Sequence, residues 1–210
     1  LLPNEVLTSS ACTLSALIQK KQISPVDLVS SYIERIERLN PILNAFITTT
    51  HDHALKTAKS LERSSFRGEN YPPLFGLPYA IKDAFFAADT RTTAGSRILS
   101  AYNSTTNATV IERLNNAGAI LIGKLNMTEF GMGTGDHFPY GTPRNPWDTS
   151  RSPGFSSSGS GIATSASLCA FSIAEDTGGS VRIPASHCGA TGLRPSQGLV
   201  SRYGSIPISS

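Results

Sequence analysis

The stretch TNATVIERLNNAGAILIGKLN, Thr106–Asn126, changes its period halfway along. Val110, Ile111 and Leu114 recur at helical spacing, which predicts a helix with one apolar face. Gly118 stands where that helix would stop. Ala119–Ile122 then run apolar without alternation, the pattern of a strand covered on both faces. Helix, glycine and continuously apolar strand make one α/β unit.

The same grammar extends in both directions. Upstream, PPLFGLPYAIKDAFF (Pro72–Phe86) sets a short apolar run between Gly and Pro, which predicts a buried strand near Leu77–Lys82. The first sixty residues read as helices. In ISPVDLVSSYIERIERLN, Ser24 is placed to cap and Pro25 to open a helix whose apolar face is Val26, Val29, Ile33 and Ile36. Asn40-Pro41 is expected to end it. HDHALKTAKSLER, His51–Arg63, predicts a second, more polar helix, with His51 and His53 on its solvated side.

Downstream the composition shifts. Thirteen of the 18 glycines lie between Gly131 and Gly204. Low complexity is excluded by the apolar segments that interrupt the stretch, among them LCAFSIAED (Leu168–Asp176), which predicts another buried strand. Tight backbone packing beside a functional loop fits better.

Composition excludes several classes. The net charge of +3 is small and the basic residues are scattered, so nucleic acid is not an expected direct partner. No run of about 18 apolar residues exists, so no transmembrane helix is expected. Cys12, Cys169 and Cys188 have no metal or disulfide spacing and read as free thiols. The histidine and cysteine spacing predicts no zinc site. Sequons at Asn103, Asn107 and Asn126 suggest a secretory context, while the polar N-terminal stretch is no signal peptide; the compartment, cytoplasmic or secreted, stays open. The chain begins with Leu rather than Met and has too few strands for a closed sheet, so it reads as a fragment.

Three segments carry chemistry. In EDTGGSVRIPASHCG (Glu175–Gly189), Gly178 and Gly179 free the backbone to aim N–H groups at one point beside the Ser180 hydroxyl. Asp176 and Arg182 flank that turn with opposite charges and are placed to brace it. A tight turn with a capping serine is the plainer reading of the same residues. Lys82 ends an apolar strand, where desolvation would bring its pKa down toward a base's working range; a surface pair with Asp83 is the alternative. RSPGFSSSGSG, Arg151–Gly161, supplies hydroxyls for a proton relay; the alternatives are a flexible linker and a phosphate-cradling glycine loop, though the P-loop pattern is absent.

Together, PGFSSSGSG, DTGGSVRIP, GLPYAIKD and GLRPSQGLVSRYG, in this arrangement, resemble the amidase signature family. The resemblance implies an α/β/α sandwich around a mixed β-sheet. The chain would be the N-terminal part of a single amidase domain, helical over about 1–65, with the catalytic core over 66–210. It also implies a Ser–cis-Ser–Lys triad of Ser180 as nucleophile, Ser156 as bridge and Lys82 as base. Ser156 and Ser180 are 24 residues apart, as in the family. The oxyanion hole falls on the N–H groups of Thr177, Gly178 and Gly179, with Ser157, Asp176 and Arg182 in support. The implied activity is hydrolysis of a small-molecule carboxylic amide through an acyl-enzyme, with no metal or organic cofactor. The A subunit of a tRNA-dependent amidotransferase and a degenerate binding domain are the alternatives, and a homodimer stays open. Gly131–Thr142 would line the pocket. Four positions depart from the family pattern: Phe155 and Ser158 replace glycines, Glu175 a usual Thr, and His187 an apolar residue. Phe155 and Ser158 are therefore expected to strain a loop that needs positive φ.

Overall fold

Ser24 opens the longest helix. The computed structural model describes residues 1–63, 71–132 and 137–207. In it the Ser24 hydroxyl accepts the Asp27 N–H at 3.0 Å at the start of a helix over Pro25–Leu43, and Pro25 sits where its missing N–H costs nothing. Short helices α1 (Asn4–Leu7) and α2 (Ala11–Gln19) precede this helix, α3. Leu28, Val29, Tyr32, Ile33 and Ile36 of α3 are buried, and Val26 is half-buried. Asn40-Pro41 does not end the helix as expected. It runs on to Leu43, and Asn44 closes it in the left-handed region (φ 51°). A proline in the last turn forfeits a single helical hydrogen bond. The Asn40 side chain is used elsewhere: its Oδ1 accepts the Phe46 N–H at 2.8 Å.

That hydrogen bond introduces a strand that the sequence pattern does not predict, β1 (Phe46–Thr49). It interrupts the expected helical N-terminal region. Helix α4 (His51–Arg63) follows as expected. On it His53 is exposed, but His51 is half-buried, with Nδ1 3.6 Å from Glu37. Strand β2 (Pro78–Lys82), helix α5 (Thr109–Asn116) and strand β3 (Ile120–Leu125) realise the α/β unit. Gly118 turns the chain between α5 and β3 at φ 85°. Helix α6 (Ser158–Ser165), strand β4 (Phe171–Ile173) and helix α7 (Arg182–Cys188) complete the described elements.

The sheet order is β1-β3-β2-β4, with β1 antiparallel to β3 and the other pairs parallel. Alternate residues face opposite sides. Tyr79, Ile81 and Leu121 pack with Ile111 of α5; Ala80, Ile120 and Ile122 pack with α2, α3, α4 and α6. Both faces of the mixed sheet are covered, the α/β/α arrangement. Helix α5 carries the chain from β2 to β3, and α6 carries it back across β2 to β4. Right-handed crossovers running in opposite directions need opposite faces of the sheet, and α5 and α6 lie on opposite faces. This leaves the carboxyl end of β2 beneath both crossovers, the place where open α/β sheets bind ligands. Strand β4 is half-buried rather than buried as expected, because it is an edge strand.

Two other expectations change. Asn126 is fully buried. Its side-chain amide donates to the Asn44 and Gly141 carbonyls at 3.0 Å each, so this sequon has no free amide for a glycan. Phe155 and Ser158 are absent from the residues at positive φ; Gly154 takes that role at φ 81°. The expected strain at the two substituted glycines is therefore not present. No described helix is long and apolar enough to cross a membrane.

Candidate active site

Lys82 is the last residue of β2 and is fully buried. Its Nζ donates to Ser156 Oγ at 2.6 Å and to Glu175 Oε1 at 2.6 Å. The alternative, a surface pair with Asp83, does not form. Asp83 is itself fully buried and accepts from Lys124 Nζ of β3 at 2.8 Å and from the Thr93 N–H at 2.9 Å. Lys124 also reaches Thr92 Oγ1 at 2.8 Å. Two buried lysines thus lie on neighbouring strands, each with its own carboxylate. Burial pushes both ammonium groups down from their ordinary values. Glu175, and then Asp176, oppose that shift at Lys82, as Asp83 does at Lys124.

Ser156 is buried and follows Phe155 through a cis peptide bond. Its carbonyl accepts the Thr128 N–H at 3.2 Å, which ties this loop to the segment after β3. Ser157 is the capping residue of α6 and fully buried. Its hydroxyl has no partner among the described residues, while its carbonyl accepts from Ser160 and Gly161.

The turn carrying Ser180 is built around Asp176. Asp176 Oδ1 accepts the Gly179 N–H at 2.7 Å; Oδ2 accepts the N–H groups of Val181 and Arg182 at 3.2 and 3.3 Å. Arg182 closes a two-pronged pair, Nε to Oδ2 at 2.9 Å and a terminal nitrogen to Oδ1 at 3.0 Å. Arg194 approaches to 3.9 Å. Partial burial pushes the Asp176 carboxyl up, but these donors outweigh it and hold it well below the usual carboxylate range. Gly179 sits at φ 124°, which only glycine adopts readily, and an added Cβ would meet Ile183 at 2.8 Å.

The expected site residues therefore fall into two hydrogen-bonded groups. Lys82, Ser156 and Glu175 form one; Asp176, Gly179 and Arg182 form the other. Ser180 is half-buried in the turn of the second group, and its hydroxyl bonds to no described residue, Ser156 included. Thr177 and Gly178 are exposed, and no described residue accepts their N–H groups. The Gly179 N–H, by contrast, is already taken by Asp176. Of the expected pocket wall, residues 133–136 lie outside the described residues. Beyond them, Tyr140 donates to the Ser96 carbonyl at 3.0 Å, and Arg97 stacks over its ring. His187 is exposed at the end of α7, where its carbonyl accepts from Asn145 at 2.8 Å.

Sequence reasoning does not reach the Glu175 contact or the Lys124–Asp83 pair. The signal for Lys124 is a charge inside an all-buried strand. Among the described residues no three His, Cys, Asp or Glu side chains gather as a metal set, and the three cysteines are free.

A family model described as Amidase matches residues 27–210, and the chain belongs to that family. It is 46% identical over 198 residues to the A subunit of the glutamyl-tRNA(Gln) amidotransferase of Methylococcus capsulatus, covering 94% of this chain and 41% of that one. The native peptide amidase of Stenotrophomonas maltophilia superposes with a TM-score of 0.89 at 37% identity, over 96% of this chain and 43% of that one. The corresponding amidotransferase A subunit of Thermotoga maritima gives 0.84 at 36% identity, over all of this chain and 43% of that one. The chain thus spans about two-fifths of the length of the relatives it matches.

Proposed function

We propose that this chain carries the acyl-transfer site of an amidase. Ser180 attacks the amide carbonyl. Its proton passes through Ser156 to Lys82 in the neutral form, and the leaving amine takes it back. Water then releases the acid from Ser180. The carbonyl oxygen, as it gains charge, is held by the unpaired N–H groups of Thr177 and Gly178; the Gly179 N–H joins them only if Asp176 lets it go.

One observation carries this reading: a fully buried lysine amine lies 2.6 Å from a buried serine hydroxyl, at the carboxyl end of a central parallel strand. A structural lysine at this depth needs a carboxylate partner but not a buried serine hydroxyl as well.

The resemblance to amidotransferase A subunits supports a second reading of the same chemistry. The amide would then be glutamine, and the released ammonia would pass to a partner-bound acceptor. Glutaminase activity that appears only with partner subunits favours this form; activity on simple amides by the isolated protein favours the first.

Intact-mass analysis after treatment with a fluorophosphonate tests both. One adduct, mapped to Ser180 and lost in Ser180→Ala and Lys82→Ala, is the expected result. No adduct on folded protein overturns both readings in favour of a binding domain.

A further inference from the structure

Glu175 stands two residues beyond β4. Here its Oε1 lies 2.6 Å from Lys82 Nζ, matching the distance from Nζ to Ser156 Oγ. Its other oxygen, Oε2, is buried without a partner among the described residues. Among the described residues, Lys82 is thus the only cation within ion-pair reach of this carboxylate.

The other charges around Nζ are already matched. Asp176, from the same segment, is paired with Arg182 of α7 and approached by Arg194. Asp83, at the end of β2, is paired with Lys124 of β3. The residues that enter and open α6, Ser156–Gly161, carry no charge, and Ser156 alone of them bonds to Nζ.

We propose that Glu175 is a positioning residue that acts through Lys82, aiming its nitrogen at Ser156 and setting the pH at which Lys82 becomes a free amine. This rests on the acyl-transfer reading above. With both groups ionised, Nζ donates to Glu175 and to Ser156 and has no lone pair to offer. When one proton leaves to solvent, the amine keeps its N–H to Glu175 and turns its lone pair to the Ser156 hydroxyl. Attack by Ser180 then moves one proton from Ser180 to Ser156 and one from Ser156 to Nζ. The ammonium so formed again faces the Glu175 carboxylate. Glu175 therefore shifts the working range to higher pH and stabilises the charge that develops during attack.

The test uses the full-length protein, with wild type compared to Glu175→Gln and Glu175→Thr. The rate of fluorophosphonate labelling at Ser180 is followed against pH. Independently, the ionisation of Lys82 is followed by NMR of lysine labelled with carbon-13 at Cε, its resonance assigned with Lys82→Arg. A carboxylate in contact shifts a lysine by about 1–3 pH units. Both variants should move the rising limb of the labelling profile, and the Lys82 midpoint, to lower pH by about that much. Their limiting rate should fall modestly, because the base is weaker. A Lys82 midpoint unchanged in folded variants overturns the proposal, whatever the labelling shows. If wild type never labels at Ser180 yet the midpoint shifts, the acyl-transfer reading fails and the electrostatic coupling stands. A loss of thermal stability with neither profile moved would show a merely structural role and also overturn it.

Discussion

Asp176 is the residue on which the Ser180 turn depends. Five hydrogen bonds from Gly179, Val181 and Arg182 converge on its two oxygens. Replacing it by Asn keeps the shape but turns one acceptor into a donor facing donors. Labelling of Ser180 should then drop about a hundredfold, the scale set by a misplacement near 1 Å, with the chain still folded by circular dichroism. The pH dependence follows from the direction of its shift. The folded carboxyl is held below the unfolded value of about 3.9. Its contribution to stability is therefore complete above that value and is lost as pH falls through the folded one. Melting temperatures of wild type and Asp176→Asn should differ by a constant amount above about pH 5 and converge in stronger acid; a constant difference across the acid range would contradict this. Asp176 and Arg182 are legible in the sequence because they flank one turn. Glu175 and Lys82 are 93 residues apart, and only the parallel pairing of β2 with β4 brings their ends together, so residue spacing could not announce the contact.

At the scale of elements, local rules predict helices well where the cap and the apolar period agree. Ser24, Pro25 and the buried face of α3 are the clear case, and Ser24→Ala should cost about 1 kcal/mol of stability, read by denaturant unfolding. The same rules fail where tertiary contacts decide. Four residues of β1 carry too little pattern to be seen, and their antiparallel pairing with β3 across more than 70 residues supplies what the pattern lacks. Pro41 misleads because a proline in a last turn resembles one beyond a helix end. The Lys124–Asp83 pair belongs to this scale as well, since it joins β3 to the residue that follows β2. Removing one partner leaves an uncompensated buried charge, so Asp83→Asn should destabilise by about 3–5 kcal/mol. Replacing both with apolar residues, Asp83→Leu with Lys124→Met, should recover most of that loss. If the single change costs no more than a surface substitution, the pair is less desolvated than its zero exposure implies.

For the whole molecule, coverage of the sheet is uneven. Both faces of β2 and β3 are buried, but β4 is an edge strand whose residues are half-exposed. In the segment after α7, Leu193, Leu199, Val200 and Tyr203 are exposed. The α/β class is legible because the strand next to α5 is apolar on both faces. The order of the strands is not, since nothing local tells β4 to pair with β2 rather than β3. An edge strand offers unpaired backbone groups, and the exposed apolar side chains after α7 add a driving force for association. The polypeptide of residues 1–210 on its own should therefore self-associate at micromolar concentrations and bind a hydrophobic dye. The combined change Leu193→Ser, Leu199→Ser and Val200→Ser should reduce both effects while leaving helix content unaltered, because none of the three lies in the described core. Sedimentation as a dye-free monomer by the unsubstituted polypeptide would overturn this expectation.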